Sequence, residues 1–366
     1  MMEGHMCHIE SGITATLCWI LQHLHCSLSH SLSLSLAGGS MASLFFLFLL
    51  LLPFAILLLV LAAIVRPRPV RIPLKGRHVL VTGGSSGIGL ALALRAAAEG
   101  ARVTILARDP SRLQDARDAI LLATGVDVTI LAADVRDPEA VCRALEAADP
   151  VDVLVCNHGV FLPQELERQS LEEVRFMVEV NLMGTFHLIK ASLPTMKQRA
   201  KESGLPTSIA IVSSQAGQVG IYGYTAYSAS KFGLRGLAEA LQHEVIADNI
   251  HITLVFPPDT DTPGLAEEHK RRPEITNVIA GSQGGMKADD VAKKTLNGIK
   301  SGQFVVACNF EGYLLHVATV GLSPQRSYFM AFVEILGVGF MRFVALCYQW
   351  SWFTSIEKWH AKMKSS

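Results

Sequence analysis

Short apolar runs alternate with segments of helical periodicity over most of this 366-residue chain. The runs are rich in Val, Ile and Leu and predict strands, while the segments between them repeat apolar residues every three or four positions and predict helices. Strands that alternate with helices are typical of a parallel sheet covered on both faces. We therefore predict an α/β fold with a Rossmann-type doubly wound parallel sheet over residues 78–310. The predicted strands are 78–82, 102–106, 127–131, 151–156, 208–214, 251–256 and 303–307, and the predicted helices include 88–98, 111–123, 139–147, 174–190 and 225–247.

A continuous apolar segment precedes this domain. Residues 42–65 contain only Leu, Phe, Ile, Val and Ala apart from Ser43 and Pro53. A helix of this length would reach about 36 Å at a rise of 1.5 Å per residue, which is enough to cross a hydrocarbon core about 30 Å thick. We predict an N-terminal transmembrane helix, because the run is longer than the apolar region of a typical cleaved signal peptide.

The segments on either side of this anchor differ in character. Residues 1–40 hold five histidines and three cysteines at spacings that match no metal-ligand pattern, so we predict no metal site and interpret them as a low-complexity or spurious extension. Residues 66–77 form a basic, proline-rich spacer, and cations beside a transmembrane helix mark its cytosolic side. We therefore expect the large domain to face the cytosol. The cations are Arg66, Arg68, Arg71, Lys75 and Arg77.

Residues 311–366 are again strongly apolar. Glu334 and Arg342 lie inside the second apolar run, which ends near Trp350 and Trp352. Because each charge makes a simple membrane span costly, three interpretations stay open: an interfacial hairpin, a span with its charges buried against protein, and a helix pair packed on the large domain. We predict C-terminal hydrophobic helices that associate with the membrane, since Trp is typical of the interface.

The overall composition agrees with membrane segments and excludes several classes of function. The chain is 50% hydrophobic and 17% charged, whereas soluble domains carry roughly 25% charged residues. Lys and Arg together number 32, as do Asp and Glu. A neutral chain lacks the basic surface that nucleic-acid binding requires, so we predict no nucleic-acid partner. The seven cysteines include no CxxC pair, which argues against a disulfide scaffold and a zinc ribbon.

A glycine-rich turn joins the first predicted strand to the first predicted helix. Glycines at such a turn let the backbone approach a pyrophosphate, which the helix N-terminus then attracts. The residues assigned to this cofactor site are Gly83, Ser85, Ser86, Gly87, Ile88 and Gly89.

The ends of the next three strands add further cofactor contacts. The second strand lacks the terminal acid that NAD sites use and is followed by Arg108 and Arg112, so we predict that the cofactor is NADPH. Asp134 is positioned for the adenine, and Asn157 and Gly159 for the ribose.

Four polar residues after the fourth predicted strand form a candidate catalytic set. Tyr227 and Lys231 share one face of a helix, where the ammonium is expected to lower the pKa of the phenol. Ser214 ends the fifth predicted strand and could polarise a substrate carbonyl, with Ser213 as the alternative because adjacent strand residues point to opposite faces. Asn181 could bend its helix and hold a water near Lys231. This set suits carbonyl reduction, with Tyr227 as the proton donor and Lys231 also binding the nicotinamide ribose.

These motifs together resemble the short-chain dehydrogenase/reductase family over residues 78–310. The turn TGGSSGIG, the triplet NHG, Asn181, Ser214 and the segment YSASK at 227–231 carry the resemblance. It implies an oxidoreductase acting on alcohols or ketones, and it assigns Thr262 to the nicotinamide carboxamide. His158 in the triplet NHG departs from the family, where alanine is commoner, and we assign it no chemistry.

A narrower resemblance is to the branch of this family that reduces long-chain sphingoid ketones. It rests on residues 213–245 and 257–268, and it implies such a ketone as substrate, contact with membrane lipid and a location on the cytosolic face of the endoplasmic reticulum. The family also implies a homodimer formed through the long helices. A membrane-anchored reductase of a steroid, retinoid or 3-ketoacyl substrate and an inactive membrane scaffold are the alternatives.

The segment 259–285 predicts a long, flexible loop that could act as a lid over the site. We interpret its charged run 265–274 as a solvated helix face. The alternative is that these charges meet lipid headgroups or the amine of the substrate.

Overall fold

The computed structural model describes residues 41–65, 69–280 and 285–365. The chain divides into two units at Ile64 and Val65. In the first unit the described residues form one helix, α1 (Met41–Ile64), whose residues Ser43–Ile64 have a mean hydropathy of 3.2 and are long and apolar enough to cross a membrane. The predictions for residues 1–40 and for Arg66 and Arg68 lie outside the described residues.

The second unit is built on a seven-stranded parallel sheet with the spatial order β3-β2-β1-β4-β5-β6-β9. This order confirms the predicted Rossmann-type doubly wound sheet. Each predicted apolar run overlaps one of its strands, although the ends of most strands differ from the predicted ends by one or two residues. The strands are β1 (His78–Thr82), β2 (Arg102–Ala107), β3 (Thr129–Ala132), β4 (Val153–Cys156), β5 (Thr207–Val212), β6 (Ile250–Phe256), the separate short pair β7 (Thr260–Asp261) and β8 (Met286–Lys287), and β9 (Val305–Ala307).

Three helices cover each face of the sheet. Side chains alternate along β1, so Val79 and Val81 pack into one apolar cluster and Leu80 into the other. The helices on the Val79 face are α2 (Gly87–Ala98), α3 (Pro110–Thr124) and α10 (Ala288–Lys300), and those on the Leu80 face are α4 (Pro138–Glu146), α6 (Gly184–Ser203) and α7 (Thr225–Val245). The remaining helices are α5 (Leu171–Val178), α8 (Pro263–His269), α9 (Glu274–Ala280), α11 (Phe310–Ala318) and α12 (Tyr328–Ser365).

The packed domain begins before the predicted boundary at residue 78. Ile72 and Leu74 are buried in the Val79 cluster, and the N–H of Ile72 donates to the carbonyl of Lys300 at 2.9 Å. Arg77 is also buried, and its guanidinium pairs with the buried carboxylate of Asp152 at 3.0 Å. Part of the predicted spacer therefore belongs to the core, and Arg77 does not contribute to a basic membrane flank.

Most of the segment 259–285 is not the flexible loop that we predicted. It contains β7, α8 and α9, and β7 at its start pairs with β8, which follows the segment; residues 281–284 lie outside the described residues. Thr262 caps α8 through a hydrogen bond from the N–H of Leu265, and Pro263 occupies the first helical position, where a missing N–H costs nothing. Local capping therefore makes this segment helical.

The C-terminal region forms one short helix, α11, and one 38-residue helix, α12. Near the start of α12, the buried Glu334 accepts hydrogen bonds from Gln325 at 2.6 Å and pairs with His316 of α11 at 3.2 Å. Near its end, His360 Nε2 lies 3.3 Å from the hydroxyl of Tyr222. The start of α12 therefore contacts α11, its end contacts the large domain, and the charge of Glu334 is held by protein partners. Large apolar side chains along α12 stay exposed, among them Phe340, Phe343 and Trp350.

Candidate functional site

The predicted site residues gather at the carboxyl ends of the parallel strands. The turn between β1 and α2 uses Gly83 and Gly87 in the left-handed region, with φ of 65° and 55°. A Cβ on Gly89 would lie 2.2 Å from the carbonyl oxygen of Gly83 and 2.6 Å from Asn157 Nδ2. The turn is therefore closed tightly by backbone contacts that only glycine allows. Ser85, Ser86 and Ile88 are half-buried along it.

The N-terminus of α2 differs from those of the two helices that follow it. Asp109 and Asp137 cap α3 and α4 with their carboxylates, but Ser86 makes no capping hydrogen bond with its side chain. The first-turn N–H groups of α2 are therefore available to a ligand, and the positive end of the helix dipole favours an anion there. This arrangement fits the pyrophosphate of a dinucleotide.

The end of β2 presents cations and no free acid. Arg108 and Arg112 are both exposed there. Asp109 stands between them, but its carboxylate accepts from the N–H groups of Ser111 at 2.9 Å and Arg112 at 3.3 Å. Because this carboxylate is used as a helix cap, it is not directed at a ribose hydroxyl.

Asp134 and Asn157 follow the next two strands. The carboxylate of Asp134 pairs with Arg136 at 2.7 Å, and this hydrogen bond holds the pKa of Asp134 below its usual value. The side chain of Asn157 donates to the carbonyl of Thr82 at 3.1 Å, and its N–H donates to the Thr82 hydroxyl at 3.0 Å. Asn157 therefore ties the end of β4 to the start of the glycine-rich turn.

His158 is part of the same contact between β1 and β4. Its Nδ1 lies 2.8 Å from the hydroxyl of Thr82. Burial lowers the pKa of His158 to about 3, with a further contribution from the charge of Lys231. The imidazole is therefore neutral at physiological pH, which agrees with a packing role for this departure from the family pattern.

Asn181 lies in a π-helical turn, Glu179–Met183, that joins α5 to α6. Its side chain accepts from the N–H of Val160 at 2.8 Å and donates to the carbonyl of Val160 at 2.9 Å and to the hydroxyl of Ser230 at 3.0 Å. The expected bend is present as this π turn. The amide group of Asn181 is held by these protein partners.

Lys231 and Gly159 lie beside Asn181. A Cβ on Gly159 would be 3.4 Å from both Asn181 Oδ1 and Lys231 Nζ. The ammonium of Lys231 donates to the carbonyl of Val212 at 3.1 Å and lies 5.6 Å from the ring centroid of Tyr227. Burial lowers the pKa of Lys231 to about 8, so most of its ammonium persists at neutral pH.

The two candidate serines have different partners. Both lie just past the end of β5, at Val212. The hydroxyl of Ser213 is buried and donates to the carbonyl of Lys231 at 3.0 Å. The side chain of Ser214 accepts from the N–H of Ala216 at 3.1 Å and also interacts with the phenol of Tyr227. Ser214 is therefore the serine that faces the tyrosine.

The pKa of Tyr227 is shifted in the direction opposite to our expectation. Burial raises the pKa of this phenol, and the negative charges of Glu268 and Asp259 raise it further, whereas the hydrogen bond with Ser214 lowers it. Desolvation of the phenolate thus outweighs the stabilising neighbours. The phenol is protonated at neutral pH, which is the form that a proton donor needs.

Several residues near Tyr227 were not identified from the sequence. Phe161 packs edge-on against Tyr227 with ring centroids 5.8 Å apart, and Tyr224 lies at 5.9 Å. Thr262, which the family resemblance assigned to the nicotinamide carboxamide, reaches the glycine-rich turn, because its methyl group would lie 3.0 Å from a Cβ on Gly87. Tyr224 stands three residues before Tyr227, at the N-cap of the same helix, and this spacing is the signal that could have found it.

The sequence and the fold are similar to those of known proteins. A family model described as short chain dehydrogenase matches residues 77–273, more than half of the chain. The chain is 59% identical over 296 residues to 3-dehydrosphinganine reductase TSC10A of Arabidopsis thaliana, covering 81% of this chain and 90% of that protein. It is 37% identical to 3-ketodihydrosphingosine reductase of Mus musculus, covering 78% and 86%. Among solved structures, a short-chain dehydrogenase from Sphingobium yanoikuyae in complex with NADPH is 26% identical with a TM-score of 0.55, covering 63% of this chain and 87% of that one.

Proposed function

The chain belongs to the short-chain dehydrogenase/reductase family, and from that membership we propose that it reduces 3-ketosphinganine (3-dehydrosphinganine) to sphinganine with NADPH. The observation that carries the proposal is the high identity, over most of both chains, to relatives named for this reaction. The tetrad Asn181, Ser214, Tyr227 and Lys231 supports an active enzyme rather than a scaffold, because the four residues converge at one end of the sheet.

The residues around the glycine-rich turn fit NADPH. The uncapped N-terminus of α2 suits the pyrophosphate, and the exposed Arg108 suits a 2′-phosphate, with Asp109 turned away as a helix cap. When bound, NADPH supplies the hydride that reduces the carbonyl carbon. We assign the pyrophosphate to the turn residues Gly83, Ser85, Ser86, Gly87, Ile88 and Gly89, and the 2′-phosphate to Arg108 and Arg112. Asp134 is assigned to the adenine and Thr262 to the carboxamide. The ribose of the nicotinamide is assigned to Asn157, Gly159, Tyr227 and Lys231.

Side chains of the protein donate the proton and hold the ketone in position. Tyr227 donates its phenolic proton to the carbonyl oxygen, so that the ketone becomes a hydroxyl group and the phenol becomes a phenolate. Ser214, which interacts with the same phenol, donates a hydrogen bond to that oxygen and polarises the carbonyl. The ammonium of Lys231 stabilises the phenolate. Asn181 fixes the main chain at Val160, beside the ring of Phe161.

The reaction is tested with the full chain in microsomes from cells whose own 3-ketosphinganine reductase is disrupted. We expect sphinganine to form from 3-ketosphinganine with NADPH and to form slowly or not at all with NADH. Microsomes without the chain give the background. Reduction of a steroid or retinal, with none of 3-ketosphinganine, would contradict the proposed substrate but not the reaction class.

Replacing Arg108 with alanine should weaken the preference for NADPH. Loss of a charge-assisted contact to the 2′-phosphate is expected to raise the KM for NADPH roughly 10- to 100-fold and to leave the KM for NADH unchanged. Arg102→Ala is the matched control, because Arg102 begins the same strand and pairs with Asp149 at 2.6 Å at the opposite end of the sheet. Equal changes with both cofactors would argue against a 2′-phosphate contact.

We also propose that the enzyme is held at the endoplasmic reticulum membrane with its catalytic domain in the cytosol. The helices α1 and α12 are long and apolar enough to cross a membrane, and Arg71 and Lys75 provide exposed cations after α1. Because the start of α12 is tied to α11 and its end contacts the catalytic domain, we assign α12 to the membrane surface, with its exposed apolar side chains in lipid.

A homodimer is a further part of the proposal. Phe186 on α6 and Phe232 on α7 are 43% and 42% exposed, which leaves large apolar side chains on the outer faces of the two long helices. Pairing of two copies through these helices would bury them.

A further inference from the structure

A largely buried group of charged side chains lies beside Tyr227 and has no part in the mechanism above. Arg272 Nη2 is 2.6 Å from Glu268 Oε1 and 2.8 Å from Asp259 Oδ2. The side chains of Arg272 and Glu268 are only 4% and 6% exposed. The hydroxyl of Tyr224 donates to the same oxygen of Glu268. We call these four residues the carboxylate cluster.

The carboxylate cluster contains one more negative than positive charge. Arg272 contacts both carboxylates, whereas its neighbour Lys270 pairs with Glu267 at 2.6 Å and Arg271 pairs with Glu173 at 3.1 Å.

Arg272 neutralises both carboxylates through one guanidinium, and Glu268 keeps one oxygen outside this pairing. Within the described part of the chain, every hydrogen bond to Glu268 ends on Oε1, so Oε2 has no partner. A buried carboxylate that is only partly neutralised is unfavourable until a cation completes its surroundings.

The carboxylate cluster is close enough to act on the reacting phenol. The ring of Tyr224 contacts both groups, because Arg272 Cζ lies 5.8 Å and the Tyr227 ring centroid 5.9 Å from its own centroid. The charges of Glu268 and Asp259 contribute to the raised pKa of Tyr227. A cation bound by the carboxylate cluster would therefore lie next to the position of the ketone oxygen.

The proposed substrate carries a cation at this place. In 3-ketosphinganine the amine is bonded to carbon 2, directly beside the ketone at carbon 3, so the two groups enter the site together. We propose that Glu268 binds the 2-ammonium group of the substrate and thereby selects 2-amino ketones over other long-chain ketones. This inference rests on the proposed function. The bound ammonium balances the charge of the carboxylate cluster, and it also offsets the effect of the two carboxylates on Tyr227.

The test compares two ketones of equal chain length, 3-ketosphinganine and 1-hydroxyoctadecan-3-one, which lacks the amine. Glu268→Gln keeps an oxygen that can accept from Tyr224 but removes the charge. We expect this variant to raise the KM for 3-ketosphinganine roughly 10- to 100-fold, the range for a charged hydrogen bond, and to leave the KM for 1-hydroxyoctadecan-3-one unchanged. NADPH binding, measured by fluorescence, reports whether the variant is folded.

Glu267→Gln is the matched control. Glu267 is the adjacent residue, and its side chain is 72% exposed and pairs with Lys270, so both KM values should stay at those of the unaltered chain. Equal losses with both ketones in Glu268→Gln would show that Glu268 only supports the structure and would overturn this inference alone. Failure of the unaltered chain to reduce 3-ketosphinganine would instead overturn the proposed function.

Discussion

Replacing Tyr227 with phenylalanine is expected to lower kcat for ketone reduction by about 10²- to 10⁴-fold, the usual contribution of a positioned proton donor. The substitution removes the hydroxyl that interacts with Ser214, and it leaves the ring free to pack against Phe161 as before. Binding of NADPH and the thermal stability should therefore change little. Steady-state kinetics in microsomes, together with NADPH fluorescence, measure the two effects separately.

Tyr313→Phe is the control for the loss of a phenolic hydroxyl. Tyr313 lies on α11, where its hydroxyl approaches the sulfur of Met330 at 3.7 Å, away from the site. This variant should keep the kcat of the unaltered chain. Retention of full kcat by Tyr227→Phe would contradict the mechanism, because no other phenol of the site interacts with Ser214 among the described residues.

Gly89→Ala should weaken NADPH binding by about 100-fold, which corresponds to about 3 kcal/mol of strain from an overpacked position. The new methyl group would lie 2.2 Å from the main-chain oxygen of Gly83 and 2.6 Å from Asn157. Since the backbone oxygen is not a flexible side-chain end, the turn itself must open, and the first-turn N–H groups of α2 then lose their alignment. NADPH titration of the full chain measures the change.

Gly236→Ala provides the matched comparison. Gly236 also lies within a helix, α7, but a Cβ there would meet nothing within 4 Å. Alanine is a better helix former than glycine by about 1 kcal/mol, so this variant should bind NADPH normally and be slightly more stable. Normal NADPH affinity in Gly89→Ala would show that the turn can relax without cost and would remove the turn from the cofactor site.

Much of the fold and of the candidate site could be predicted because local patterns specify them. Buried parallel strands are continuous apolar runs, and the run at β1 is followed at once by glycines whose positive φ values the structure requires. Tyr227 and Lys231 lie on one helix, so their spacing already brings them together. The expected positions of Asp134, Asn157 and Ser214 follow from the rule that loops after parallel strands meet at one edge.

The errors arose where tertiary packing decides. Arg77 resembles its basic neighbours in sequence, but the buried carboxylate of Asp152 draws it into the core. The charged run 265–274 predicts a solvated helix, yet Glu268 and Arg272 are buried while Glu267 and Lys270 are exposed. Helical periodicity alone cannot tell which of these faces meets Tyr224.

The pKa of Tyr227 also could not be predicted from the spacing of Tyr227 and Lys231 in the sequence. The nearby ammonium of Lys231 suggested a lowered value, but the extent of burial and the proximity of Glu268 and Asp259 emerge only in three dimensions. The same holds for Glu334, whose charge is accommodated by His316 and Gln325 through contacts between separate elements.

The attachment of α12 to the catalytic domain determines which concentration controls the reaction. Tyr222, which contacts His360 of α12, stands only five residues before Tyr227, while Phe340 and Trp350 on the same helix remain exposed. With this helix in the lipid surface, the enzyme and its insoluble ketone meet in two dimensions. The rate then follows the mole fraction of ketone in the membrane, so added inert lipid slows turnover while added water does not.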